Sequence, residues 1–207
     1  MTIKNFEVQP LFATPYFRGS LAEYITDEQV AFIKSLTMQQ NQTNLISENL
    51  YIFEEPELAQ IKAGVQEALD VFAKEVMGIE QKLYVTQSWS LINNPGIGMH
   101  THAHSNSLVS GSLYFTDLPE PVSRMVFDKN IMYRRIELNP MPDRQNIYNT
   151  PVNTVTPKKH DILLFPSELN HLVEPNQSAV PRHSIAFNCF IRGSLGNYRD
   201  VSELRLA

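Results

Sequence analysis

Half of the six histidines in this chain stand at alternate positions in one short tract, "HTHAHSNS", from His100 to Ser107. On a strand, successive side chains alternate faces, so His100, His102 and His104 would project to one side. Neutral imidazole is the commonest metal ligand. Two imidazoles on one face can share an ion; a polar strand edge or a hydrogen-bonded cluster is the other reading. His171, in "LFPSELNHLVEP", lies in a strand-like run just after a proline-ended apolar strand and can return to the same end of a β structure. Further on comes "RHSIAFNCF", in which a period of two puts Arg182, Ser184, Ala186 and Asn188 on one face. His183, Ile185, Phe187 and Cys189 fall on the other. An arginine heading such a polar row can hold a carboxylate through two parallel bonds, with the Ser184 hydroxyl as a further donor. Against that stands an ordinary surface ion pair.

The elements that would position these groups follow from pattern. With 207 residues and 43% hydrophobic content the chain can bury a full core as one domain. A formal charge of −5 argues against an extended nucleic-acid footprint, and the basic doublets Arg134-Arg135 and Lys158-Lys159 read as solvated surface pairs. The single cysteine, Cys189, cannot form an intrachain disulfide. The start, "MTIKNFEVQPLF", lacks the pattern of a secretory signal, and the cytoplasm is the expected address. No run approaches the ~20 apolar residues of a spanning helix, so a soluble protein without membrane contact is expected.

The N-terminal third reads as helical. Thr26 with Gln29 forms a capping-box pattern before Val30, Ile33 and Leu36. A longer helix starts near Pro56, carries Leu58, Ile61, Val65, Leu69, Phe72 and Val76 on one stripe, and stops at Gly78. These stripes read as core. From there the runs are short and β-like: "KLYVTQSWSLI", "SLVSGSLYF", "RMVFD", "YRRIEL", "DILLFPS", "NHLVE" and "RHSIAFNCF". Strands so many and so short predict a mostly β fold, a sandwich or jelly roll with the helices on one side. The polar stretch 139–159 reads as a long surface loop and a candidate lid. One domain over 1–207 is expected, with 1–78 as helical support, 79–193 as the β core and 194–207 as a C-terminal tail.

The order His-x-His, a gap of some seventy residues, His, then Arg-x-Ser resembles the iron(II)/2-oxoglutarate-dependent dioxygenase superfamily. The likeness is strongest to a branch with the tracts H-x-H-x-x-S-x-x-S-G, F-P-S-x-L-x-H and R-x-S-x-x-F-N. Here these read "HAHSNSLVSG" from His102, "FPSELNH" from Phe165 and "RHSIAFN" from Arg182. "PLFATPYF" and "SWSLINNPG" extend the resemblance over most of the chain. It implies a cupin-like double-stranded β-helix with His102 and His171 as metal ligands. Arg182 and Ser184 would bind the far carboxylate of 2-oxoglutarate. The family reaction couples oxidative decarboxylation of 2-oxoglutarate by dioxygen, giving succinate, to hydrogen abstraction from a further substrate, usually ending in hydroxylation. The implied partners are Fe(II), 2-oxoglutarate, dioxygen and an unidentified substrate, and a homodimer is left open.

One departure is plain: His104 stands where most of the superfamily has Asp or Glu. It is expected as the third ligand, which would leave more positive charge on the ion and favour an anionic cosubstrate, with an outer-shell role as the alternative. His100 falls outside the motif. Trp89, Asn93 and Tyr114 match pocket positions of the branch, and Tyr114 and Asn93 join the expected cosubstrate set. His160 stands where the branch usually turns on glycine, and a structural role is expected for it. Two other classes remain open, a cupin-like metal-binding module without turnover and a zinc hydrolase. The second lacks a Glu placed as in HExxH and needs no carboxylate clamp at Arg182, and the first would not consume cosubstrate.

Overall fold

The computed structural model describes residues 6–129 and 140–206; the Arg134-Arg135 doublet and the "YRRIEL" run lie outside them. Its elements in chain order are β1 (Phe17–Ser20), α1 (Asp27–Ser35), β2 (Met38–Gln40), β3 (Leu45–Ser47), α2 (Ala59–Val71), β4 (Lys82–Asn93), β5 (Met99–His102), β6 (Val109–Leu113), β7 (Met125–Asp128), β8 (Val152–Val155), β9 (Asp161–Pro166), β10 (Asn170–Val173), β11 (Arg182–Leu195) and β12 (Leu204–Leu206). The main sheet runs β1-β9-β6-β11-β4-β3-β2, with β12 on the end of β11, and the second sheet runs β5-β10-β7-β8. Facing each other, they form the double-stranded β-helix, or jelly roll. No helix among the described residues is long and apolar enough to cross a membrane.

Alternation along the central strands builds two cores. Leu113, Ile162, Leu164, Ile185, Phe187 and Cys189 point away from the second sheet and join α2 through Ile61, Val65 and Leu69. Leu163 and Phe165 point the other way, to Tyr114, Met125, Phe127 and Val155 between the sheets. A strand covered on both faces need not alternate, which is why "DILLFP" is apolar nearly throughout. Each fully buried Leu, Ile or Phe contributes about 1.5–3 kcal/mol. Gly111 sits opposite Phe187 in register. A Cβ there would come within 2.2 Å of the Phe187 ring, so only glycine lets that ring cross β6.

The capping box forms as expected. Gln29 N–H donates to Thr26 Oγ1 at 3.3 Å, and Thr26 N–H to Gln29 Oε1 at 2.9 Å. A 3₁₀ turn, Pro56–Leu58, leads into α2, and a π-helical turn, Phe72–Met77, follows it before Gly78 caps the end at φ 64°. The stripe from Leu58 to Phe72 is buried, but Val76 is 41% exposed. The π turn is wider than 3.6 residues and carries Val76 off the stripe.

Three boundaries differ from the sequence reading. The stretch 1–78 is not helical support alone, because β1, β2 and β3 join the main sheet. At three or four residues each they are too short to show a period of two. The C-terminal segment is not a free tail: β11 continues to Leu195, and β12 pairs back on it from Gly193↔Leu206 to Leu195↔Leu204. Within 139–159, β8 pairs with β7 from Met125↔Val155 to Asp128↔Val152. Of β8 only Val155 is buried, so this edge strand carries a loop-like composition.

Candidate metal and cosubstrate site

Strand pairing brings the histidines together. β10 runs antiparallel to β5 with His171 opposite His102, joining residues far apart in sequence. β5 ends at His102, so His104 does not share a strand with His100 and His102 as the alternation suggested. It lies on the turn that follows, where its N–H donates to Ser167 O at 2.9 Å and Asn106 takes a left-handed φ of 54°. The turn still delivers the ring: potential ligand nitrogens of His102, His104 and His171 all lie within 4.8 Å of one another. His100 is exposed and stays outside this group, contributing its carbonyl, 2.8 Å from His102 Nδ1.

The second nitrogens are committed to carbonyls. His102 Nδ1–H donates to His100 O, and His171 Nδ1–H to Leu169 O at 2.9 Å. Each bond leaves Nε2 as a bare lone pair, the tautomer a metal requires. His104 Nε2 and His171 Nε2 lie 3.3 Å apart. Two imidazole nitrogens about 2.1 Å from one ion would be separated by about 3.0–3.4 Å. Phe165 packs its ring 4.7 Å from that of His171, and Trp89 lies 6.2 Å from His104.

Burial holds these imidazoles neutral. It lowers His104 to about 3, helped by the neighbouring His171 and His102, and lowers His171 to about 4. His102 is lowered as well, chiefly by burial. An unfolded histidine titrates near 6.5, so between that pH and about 4 the unfolded chain takes up protons that the fold refuses. Stability of the metal-free protein therefore falls as pH drops through this window, by up to about 1.4 kcal/mol per pH unit for each such histidine. Thermal unfolding of metal-free protein should show a lower Tm at pH 5.5 than at pH 7, with a smaller drop in His171→Asn. Equal drops in both proteins would contradict a buried neutral His171.

Arg182 opens β11, pairs with Asn93 of β4, and is 2% exposed. No ion pair among the described residues includes it. Its Nη1 makes a long 3.5 Å contact with Ser184 Oγ, and its Nε has no partner. The guanidinium carbon lies 5.1 Å from the centre of the Tyr114 ring, and the buried Tyr114 hydroxyl also lacks a partner. Burial raises the Tyr114 phenol above its ordinary value against the opposing pull of Arg182, so it is a proton donor. A buried cation without a counter-charge is costly, as is a buried donor without an acceptor. One anionic ligand would relieve both. Asn93 is more occupied: its Oδ1 accepts from Asn44 Nδ2 at 3.2 Å and its Nδ2 donates to Ile97 O at 3.4 Å. His160 is structural, with φ 68° and backbone bonds to Tyr114 and Leu21.

Residues 87–188 match the model of the family described as "Putative 2OG-Fe(II) oxygenase". This span, just under half of the chain, is similar to that family. All three histidines, with Arg182, Ser184, Tyr114 and Asn93, fall inside the matched span. Solved structures share its fold. The α-ketoglutarate-dependent epimerase SnoN from nogalamycin biosynthesis aligns with TM-score 0.62 and 12% identity over 86% of this chain and 78% of its own. HygX from Streptomyces hygroscopicus, solved with nickel and 2-oxoglutarate bound, aligns with TM-score 0.57 and 13% identity over 85% and 82%. A Pseudomonas putida prolyl-4-hydroxylase aligns with TM-score 0.55 and 14% identity over 87% and 94%. No curated protein matches the sequence.

Proposed function

We propose that His102, His104 and His171 hold Fe(II) in this oxygenase, and that Arg182, Ser184 and Tyr114 bind the far carboxylate of 2-oxoglutarate. The observation that carries this reading is the pair of orphaned buried donors, Arg182 Nε and Tyr114 OH, in the same family span as the three-histidine cluster. The donor set fits the group, because three neutral imidazoles suit a divalent transition ion and leave positions for other ligands. Bound iron(II) would supply dioxygen activation, coupled to decarboxylation of 2-oxoglutarate to succinate and hydroxylation of a second substrate.

The chain's own residues bind and orient. Carbonyls of His100 and Leu169 keep the two Nε2 lone pairs aimed at the ion. Arg182 offers a planar fork to a carboxylate, Ser184 one hydroxyl, and Tyr114 a phenol that stays protonated. With three neutral ligands a bound ion would keep its full charge, which would favour an anionic cosubstrate. The cytoplasm is the proposed compartment, in keeping with a lone, buried Cys189.

The test is anaerobic addition of Fe(II) and 2-oxoglutarate, followed by admission of air. A visible charge-transfer band under nitrogen and succinate in air are expected. A protein that takes up iron but shows neither is the cupin-like binding module instead.

A further inference from the structure

Ser107 and Ser110 of the first sequence tract and Ser167 of the second take no part in the site as described, yet they meet behind it. Ser167, fully buried at 0% exposure, stands at the centre. Its Oγ donates to Ser107 Oγ at 2.8 Å and lies 2.9 Å from Ser110 Oγ, which in turn donates to Asn188 Oδ1 at 3.1 Å. Ser107 Oγ also accepts the Cys189 N–H at 3.3 Å, beside the irregularity at Asn188/Cys189 in the β11–β4 pairing. The Ser167 backbone is engaged as well, its N–H donating to Leu108 O at 3.2 Å and its carbonyl accepting from His104 N–H at 2.9 Å.

His104 lies beyond the end of β5, so no ladder fixes it. Its turn is tied to β11 through Leu108 N–H to Cys189 O at 2.8 Å, and to Ser167 through the backbone at His104 and Leu108 and the hydroxyl at Ser107. Each hydroxyl carries one proton and each partner is buried or half-buried. Removing the Ser167 hydroxyl takes one partner from Ser107 and one from Ser110, which keep only their bonds to Val109 and Cys189 and to Asn188, and so cuts the side-chain tie between the two segments. Ser167 also lies four residues before His171, on the turn whose Leu169 carbonyl orients that ring.

We propose that Ser167 is a positioning residue for the metal site, holding the turn of His104 where its imidazole meets those of His102 and His171. The proposal rests on His104 being a ligand. Ser167 acts through His104.

The test is a Co(II) titration of parent, Ser167→Ala, His104→Ala and the double variant, following the visible d–d spectrum. Ser167→Ala should raise the Co(II) dissociation constant about tenfold or more and alter the spectrum, as loss of outer-shell support does. In the His104→Ala background the same change should cost less than about twofold, the mark of coupling through one residue. Ser107→Ala should act in the same direction if Ser167→Ala folds poorly. Ser47→Ala is the control, removing another fully buried hydroxyl, bonded to Asn49 O at 2.7 Å and Ser90 N at 3.0 Å. It should lower Tm without moving the dissociation constant. Equal losses in both backgrounds, or parent affinity in Ser167→Ala, would overturn the proposal while leaving His104 a ligand. Parent affinity in His104→Ala would instead remove His104 from the metal set, and the proposal with it.

Discussion

Purified His171→Ala and His102→Ala should each lose metal binding altogether, and His104→Ala should be severely weakened. In the proposed set of three imidazoles with no carboxylate, each would carry a third of the coordination the chain provides. Loss of outer-shell support already costs roughly 10–100-fold in affinity, and loss of a ligand costs more. His171 is the sharpest case because it is 4% exposed, and a truncation there opens a gap beside Phe165 that no neighbouring donor fills. His100→Ala is the matched control: an exposed ring 5.4 Å from His102 and outside the cluster, whose loss should leave metal content unchanged. Metal analysis after loading with Fe(II) or Co(II), and calorimetric titration, read the result. Undiminished content in both His102→Ala and His171→Ala would remove the metal centre from this end of the barrel.

Arg182→Ala should leave metal content intact and weaken 2-oxoglutarate binding by at least about thirtyfold. Truncating one partner of a buried charge pair costs about 2–5 kcal/mol, and tenfold in a dissociation constant is about 1.4 kcal/mol. Arg182→Lys should recover little, since an ammonium has no planar fork with which to take both carboxylate oxygens. Ser184→Ala should cost less, about 1–3 kcal/mol, as one hydroxyl bond to a charged oxygen. Titration of each iron-loaded variant under nitrogen, with succinate formation in air, separates the cases. If Arg182→Ala binds and decarboxylates as the parent does, the carboxylate is held elsewhere.

Much of this site is legible along the chain because strand periodicity is local. A period of two is enough to put Arg182, Ser184, Ala186 and Asn188 on one face of β11, and the fold turns that face away from the helix-side core of Ile185, Phe187 and Cys189. The capping box at Thr26 and the left-handed stop at Gly78 are equally local and stand where the residues predict. Local pattern fails where an element is short or its partner distant. β1 to β3 and β8 are too brief, and β8 too exposed, for alternation to register.

The sequence by itself singled out the candidate residues for chemistry and which face of each long strand they share, since both follow from residue type and backbone pleat. The tertiary structure decided which of them meet. His171 faces His102 only because β10 pairs with β5 in that register, and a slip of one residue would turn His171 to the opposite face. His104 joins them from a turn, where alternation has no authority, because Ser167 from another segment holds its backbone. The cost that gives Arg182 its meaning, a buried cation with an unpartnered Nε beside an unpartnered phenol, exists only once the second sheet closes over the first and removes water.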